Sequence, residues 1–149
     1  MPETGMSEAI SAAAADVLET MFFSPVMAEA ALDEAMSAPA LAARLRFSGG
    51  REGTFAVRIS TSAAESMAAN FLGEETEQPA SGQVQDVVCE LTNMLCGSVL
   101  SRLDSKAHFD LGHPELVDAL EAATPDSVSR AFELGDGAVA VFLHLDAKP

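Results

Sequence analysis

Asp86-Val-Val-Cys-Glu90-Leu-Thr-Asn93-Met-Leu-Cys-Gly97 is the stretch around which the rest of this chain can be read. At about 100° per residue, a helix here puts Asp86, Glu90, Asn93 and Gly97 in one narrow stripe. Val84, Val87, Val88, Leu91 and Leu95 fall on the opposite side. The stripe offers carboxylates, then a carboxamide one turn on, then a residue without a side chain. A helix face kept only for solubility usually carries Lys beside Glu, and this one has no Lys. Its groups can grip a cation and orient a water.

Outward from this helix, the chain divides into helical and strand periods. Towards the N-terminus, Ile10, Ala14, Val17, Leu18, Met21 and Phe22 keep helical spacing, which predicts a helix from an N-cap at Ser7 to about Phe23. Ser24-Pro25 ends it, because proline disfavours helical geometry in the residue before it. Met27 to Met36 reads as a second helical piece or an irregular lid, and Ser37 to Ala40 as a linker or strand entry. Leu41 to Phe47 and Thr54 to Ile59 alternate apolar with polar residues around the turn Ser48 to Gly53, the pattern of a hairpin. Ser60-Thr61-Ser62 caps a helix over Ala63 to Leu72, closed by Gly73. A loop over Glu74 to Gly82 then leads into the long helix, Val84 to about Leu103. His108 to Leu111 predicts a short strand, and Glu115 to Ala123 a brief helix or an extended segment. Ser129 to Leu134 and Ala138 to Leu145 make a last hairpin, whose second strand reads as an exposed edge that another chain can pair with. Antiparallel hairpins segregated from helices mean an α+β fold. Glu19-Thr-Met-Phe22 faintly echoes Glu90-Leu-Thr-Asn93, each ahead of a hairpin, as a diverged duplication would leave it.

Composition narrows the function classes. The 149 residues suit one domain spanning 1–149, and 48% hydrophobic residues supply a core without Trp or Tyr. No apolar run approaches a membrane span, and the N-terminus has no basic region leading into an apolar one, so the cytoplasm is the expected compartment. The net charge of −15 comes from 23 acidic against 8 basic residues, with no Lys or Arg before Arg44. Nucleic acid is therefore a poor partner, since phosphate backbones demand a basic footprint. Cys89 and Cys96 would lie about 10.5 Å apart along a helix, beyond disulfide reach, and two thiols alone make a weak metal site. Ser98 lacks the second glycine of a nucleophile elbow. His108, His113 and His144 are scattered singly and read as surface or strand-end residues. Ser48-Gly49-Gly50-Arg51-Glu52-Gly53 lacks the Lys-Ser/Thr ending of a phosphate-cradling loop.

Glu90 and Asn93 remain, with Asp86 four residues before and Pro114 some twenty after. In this the chain resembles the CheC/CheX/FliY family of bacterial chemotaxis phosphatases. Their motif is Asp or Ser, three residues, Glu, two residues, Asn, and a Pro about twenty residues on. The likeness extends to the segment from Ser48 to Gly73, and the single complete motif with Leu111-Gly112-His113-Pro114 favours the CheX branch. The resemblance implies a pseudo-duplicated fold, an antiparallel sheet with long helices packed on one side. It implies a phosphatase acting on the phospho-aspartate of a CheY-type response regulator, and makes a homodimer plausible. Asn93 would position the attacking water and Glu90 would pair with the regulator's lysine. Asp86 would shape the rim, and Gly97 would let the two backbones approach. No metal or cofactor is expected on this chain, the Mg²⁺ being carried by the partner. The alternative is a non-catalytic module of the same fold that binds a regulator or a motility-complex protein.

Overall fold

The computed structural model describes residues 3–22, 24–31, 39–72, 81–117 and 127–146. Helix α1 spans Glu3–Phe22. It buries Met6, Ile10, Ala13, Ala14, Val17, Leu18 and Phe22, one face repeated every three or four residues. Ser7 is therefore not the N-cap: Met6, one turn before Ile10, also packs into the core and carries the helix back to Glu3. Beyond α1 a three-residue strand, β1 (Ala28–Ala30), replaces the first part of the expected helix or lid. Residues 32–38 lie outside the described ones.

The first hairpin forms where alternation places it, as β2 (Ala40–Gly49) and β3 (Gly53–Ser60), with Leu41 opposite Ile59 and Leu45 opposite Phe55. Gly49 turns the chain at φ +112°, a backbone conformation that side chains rarely adopt. Helix α2 (Thr61–Leu72) follows. Its expected cap at Ser60 is otherwise engaged, since the Ser60 hydroxyl accepts a hydrogen bond from the Ala138 N–H at 3.1 Å. Helix α3 runs over Ser81–Leu103, so Gly82 belongs to the helix; the rest of the loop expected over Glu74 to Gly82 lies, up to residue 80, outside the described residues. It buries Val84, Val87, Val88, Leu91, Leu95, Val99 and Leu100, and turns Thr92 inward with its hydroxyl on the Val88 carbonyl at 2.8 Å.

Four further strands complete the sheet: β4 (Phe109–Leu111), β5 (Glu115–Val117), β6 (Val128–Leu134) and β7 (Gly137–Leu145). The expected helix or extended segment from Glu115 is thus a strand at its start, and residues 118–126 lie outside the described ones. All pairings are antiparallel, in the order β1-β6-β7-β3-β2-β4, with β5 also on β2. β7 is hydrogen-bonded on both sides, to β3 and β6, and so is no edge. Among the described strands, the edges are β1 at one end and β4 with β5 at the other.

The main core lies between one sheet face and the three described helices, joining Ala43, Leu45, Phe47, Phe55, Val57, Ile59, Val139, Val141 and Leu143 to the helix stripes. The far face carries a smaller cluster of Ala42, Ala56, Ala131, Ala140 and Phe142, with Arg58 buried on the same side. Arg46 on β2 meets Asp146, just past β7, at 2.6 Å, and the guanidinium holds that carboxyl below its usual range. An ion pair at the surface contributes little to stability, so the sheet rests mainly on its core.

One irregularity positions the site. On β2 the residues facing Leu111 and Glu115 are Phe47 and Arg44, so three steps on one strand are matched by four on the other. β4 and β5 are therefore one edge strand interrupted by a β-bulge of one extra residue, the device by which a strand re-aims its side chains. Leu111 and Leu116 both lie opposite inward-facing residues, Phe47 and Ala43, although they are an odd step, five positions, apart. The Gly112 N–H bonds to the Arg46 carbonyl at 2.7 Å, and Phe47 and Phe109 meet edge to face at 6.3 Å. Gly112-His113-Pro114 is thus a ledge fastened to β2 at both ends.

Candidate functional site

The outward stripe of α3 faces this ledge across an open cleft of about 490 Å³. Asp86, Cys89, Glu90 and Asn93 form the helix wall, and Leu111, Gly112, His113 and Pro114 the opposite one. Asp86, Glu90, Asn93 and Pro114, singled out from the sequence, therefore meet in one place. Asp86 and Glu90 are exposed, and Asn93 is half-buried. Gly97 lies beyond the cleft on the same helix; a Cβ built there would meet nothing within 4 Å.

Four lining residues were not singled out as site residues: Cys89, Leu111, Gly112 and His113. Cys89 lies at the margin of the polar stripe, where an apolar reading of cysteine hides it. His113 is next to Pro114 in sequence, and that adjacency was the available signal. The other two histidines stand elsewhere beside carboxylates, His108 at 3.1 Å from Asp110 and His144 at 3.7 Å from Asp146.

Among the described residues, the cleft is lined by two carboxylates, one carboxamide, one imidazole and one thiol, with neither Lys nor Arg. Its thiol is a poor nucleophile: partial burial, helped by the charge of Asp86, raises the Cys89 pKa. Cys96, on the buried side of the helix, is pushed up to about 12 by burial. Ser98 serves as a surface acceptor for the Arg102 Nε–H at 3.4 Å. Among the described residues, no three His, Cys, Asp or Glu side chains are grouped to hold a metal ion. No helix among them is long and apolar enough to cross a membrane. The cleft is thus equipped to receive a cation on its carboxylates and to hold a small polar molecule on Asn93, without covalent attack of its own.

A profile of the family described as chemotaxis phosphatase CheX matches residues 41–132. No curated protein matches the chain. Similar solved structures include CheX from Vibrio vulnificus, with a TM-score of 0.76 at 19% identity over 98% of this chain and 99% of that one. Another is a CheX–CheY–BeF3–Mg²⁺ complex from Borrelia burgdorferi, with a TM-score of 0.74 at 19% identity over 95% and 98%. FliY from Thermotoga maritima is more distant, with a TM-score of 0.57 at 15% identity over 92% and 84%. At such identities the likeness establishes the fold. The profile covers more than half of the sequence, and on that ground the chain belongs to the CheX family.

Proposed function

We propose that this protein dephosphorylates the phospho-aspartate of a CheY-type response regulator in the cytoplasm, using Asn93 to place the attacking water. The observation that carries the reading is the meeting of Glu90 and Asn93 with Pro114 around one cleft that, among the described residues, holds no activated nucleophile. An acyl phosphate is already reactive, so placement of a water in line with the departing carboxylate is most of the catalytic task. The Asn93 Oδ1 accepts a hydrogen bond from that water, and its Nδ2–H is free to donate to a phosphoryl oxygen. A neutral amide does so without repelling the phosphoryl group, as a carboxylate in its place would. Water oxygen bonds to phosphorus, the acyl P–O bond breaks, and the regulator's aspartate leaves as carboxylate with inorganic phosphate as the other product. Glu90, exposed one turn away, receives the ammonium of a partner lysine, docking the helix and setting Asn93 in register. Asp86 borders the same rim. The Mg²⁺ such a reaction uses belongs to the regulator, consistent with the similar complex described as containing CheY, BeF3 and Mg²⁺.

The test follows decay of a phosphorylated, Mg²⁺-loaded CheY-type regulator with wild type and with Asn93→Ala. Wild type is expected to accelerate decay, and the variant to lose about 100-fold of that turnover while still binding the regulator, the scale of a lost positioning group. Equal loss of binding and turnover would count against water positioning. Binding without acceleration across the source organism's regulators would make the protein a non-catalytic module of this fold.

A further inference from the structure

The bulged ledge opposite α3 has only one residue whose side chain can donate a hydrogen bond into the cleft. Leu111 has an apolar side chain, Gly112 has none, and the Gly112 N–H is already engaged by the Arg46 carbonyl at 2.7 Å. Pro114 has neither a polar side chain nor an N–H. That leaves His113, which is exposed and, among the described residues, has no hydrogen bond or ion pair, whereas His108 and His144 both stand beside carboxylates. Its backbone is restrained, since a residue before proline is confined to extended geometry and the ledge is tied to β2 on both sides. The helix wall, by contrast, has two carboxylates and a single good donor, the Asn93 amide. A phosphoryl group entering between these walls carries negative charge on several oxygens, and beyond what the regulator's own Mg²⁺ takes up, a lone amide on this side meets only one of them.

We propose that His113 is the second donor of this site: its imidazole N–H binds a phosphoryl oxygen of the docked aspartyl phosphate from the side opposite Asn93. The proposal rests on the phosphatase reading above and adds the residue that selects the phosphorylated form of the partner. His113 positions and recognises; no proton transfer is assigned to it.

The experiment uses the full chain with His113→Ala and His113→Gln, the latter keeping an N–H donor near the place of Nε2. Steady-state dephosphorylation of the Mg²⁺-loaded regulator is measured beside its binding with and without beryllium fluoride, a phosphoryl mimic. In His113→Ala, kcat/KM and affinity for the fluoride-loaded regulator are expected to fall about tenfold, the scale of a lost hydrogen bond to a charged group. Affinity for the unloaded regulator should stay within twofold, and His113→Gln should recover most of the loss. Both variants should keep the wild-type Tm, because the side chain is exposed. A kcat/KM for His113→Ala within twofold of wild type would overturn the proposal while leaving the phosphatase reading intact. Equal weakening towards both forms of the regulator would also overturn it, placing His113 against the partner's surface instead of its phosphoryl group. If wild type itself fails to accelerate decay, the functional reading fails and this inference falls with it.

Discussion

Asn93 and Cys89 are neighbours in the cleft, and both depend on being only partly buried. Burial and the Asp86 charge both disfavour the Cys89 thiolate, so its thiolate appears at higher pH than that of a free cysteine. Alkylation by iodoacetamide, followed by intact mass, should therefore add one label slowly at pH 7.5 and faster as pH rises, with Cys96 unlabelled in the native protein. Asp86→Asn removes the charge but not the burial, and should speed labelling of Cys89 several-fold at fixed pH. A rate equal to wild type would show that Asp86 does not face the thiol. At this scale the sequence was a good guide on the helix, because a period of 3.6 residues assigns each side chain to a face. It was a poor guide to His113, whose place depends on a register slip between two strands far apart in sequence.

That slip belongs to the edge strand formed by β4 and β5. A Cβ at Gly112 would lie 2.9 Å from the Arg46 carbonyl oxygen, backbone that cannot swing aside. Gly112→Ala should therefore destabilise the protein by about 1–3 kcal/mol, as overpacking does, and loosen the ledge. Gly97→Ala is the contrasting case, since its Cβ meets open space and alanine gains about 1 kcal/mol of helix propensity over glycine. Thermal unfolding should lower Tm for the first and raise it or leave it unchanged for the second. The reverse order would mean that the bulge does not constrain Gly112. Long elements were legible because seven or more residues of alternation or helical repeat leave little ambiguity. β1 and β5, three residues each, were not: they are strands only because β6 and β2 lie beside them. β7 misled in another way, since its apolar alternation marks a strand without saying whether one neighbour or two will pair with it.

In the whole molecule, the strand order has an internal pseudo-symmetry, the arrangement that the faint echo between α1 and α3 suggested. Exchanging β1 with β5, β2 with β6 and β3 with β7 maps every principal pairing onto another: β1·β6 onto β5·β2, β2·β3 onto β6·β7, and β3·β7 onto itself. The two halves share one sheet and one core. They also share a net charge of −15, whose self-repulsion works against the compact state until salt screens it. Tm should consequently climb between 10 and ~300 mM NaCl, where the Debye length shrinks to several ångströms. A flat or falling Tm would show that local ion pairs such as Arg46–Asp146 outweigh the global excess. Phe22, the residue that aligns with Asn93, is completely buried at the end of α1. Placing asparagine there would seat a carboxamide in the apolar core, at a cost of about 1–3 kcal/mol or more, and would still leave it hidden from any partner. The first half thus serves as foundation for the second, and a single exchange at Phe22 cannot give the molecule a second site.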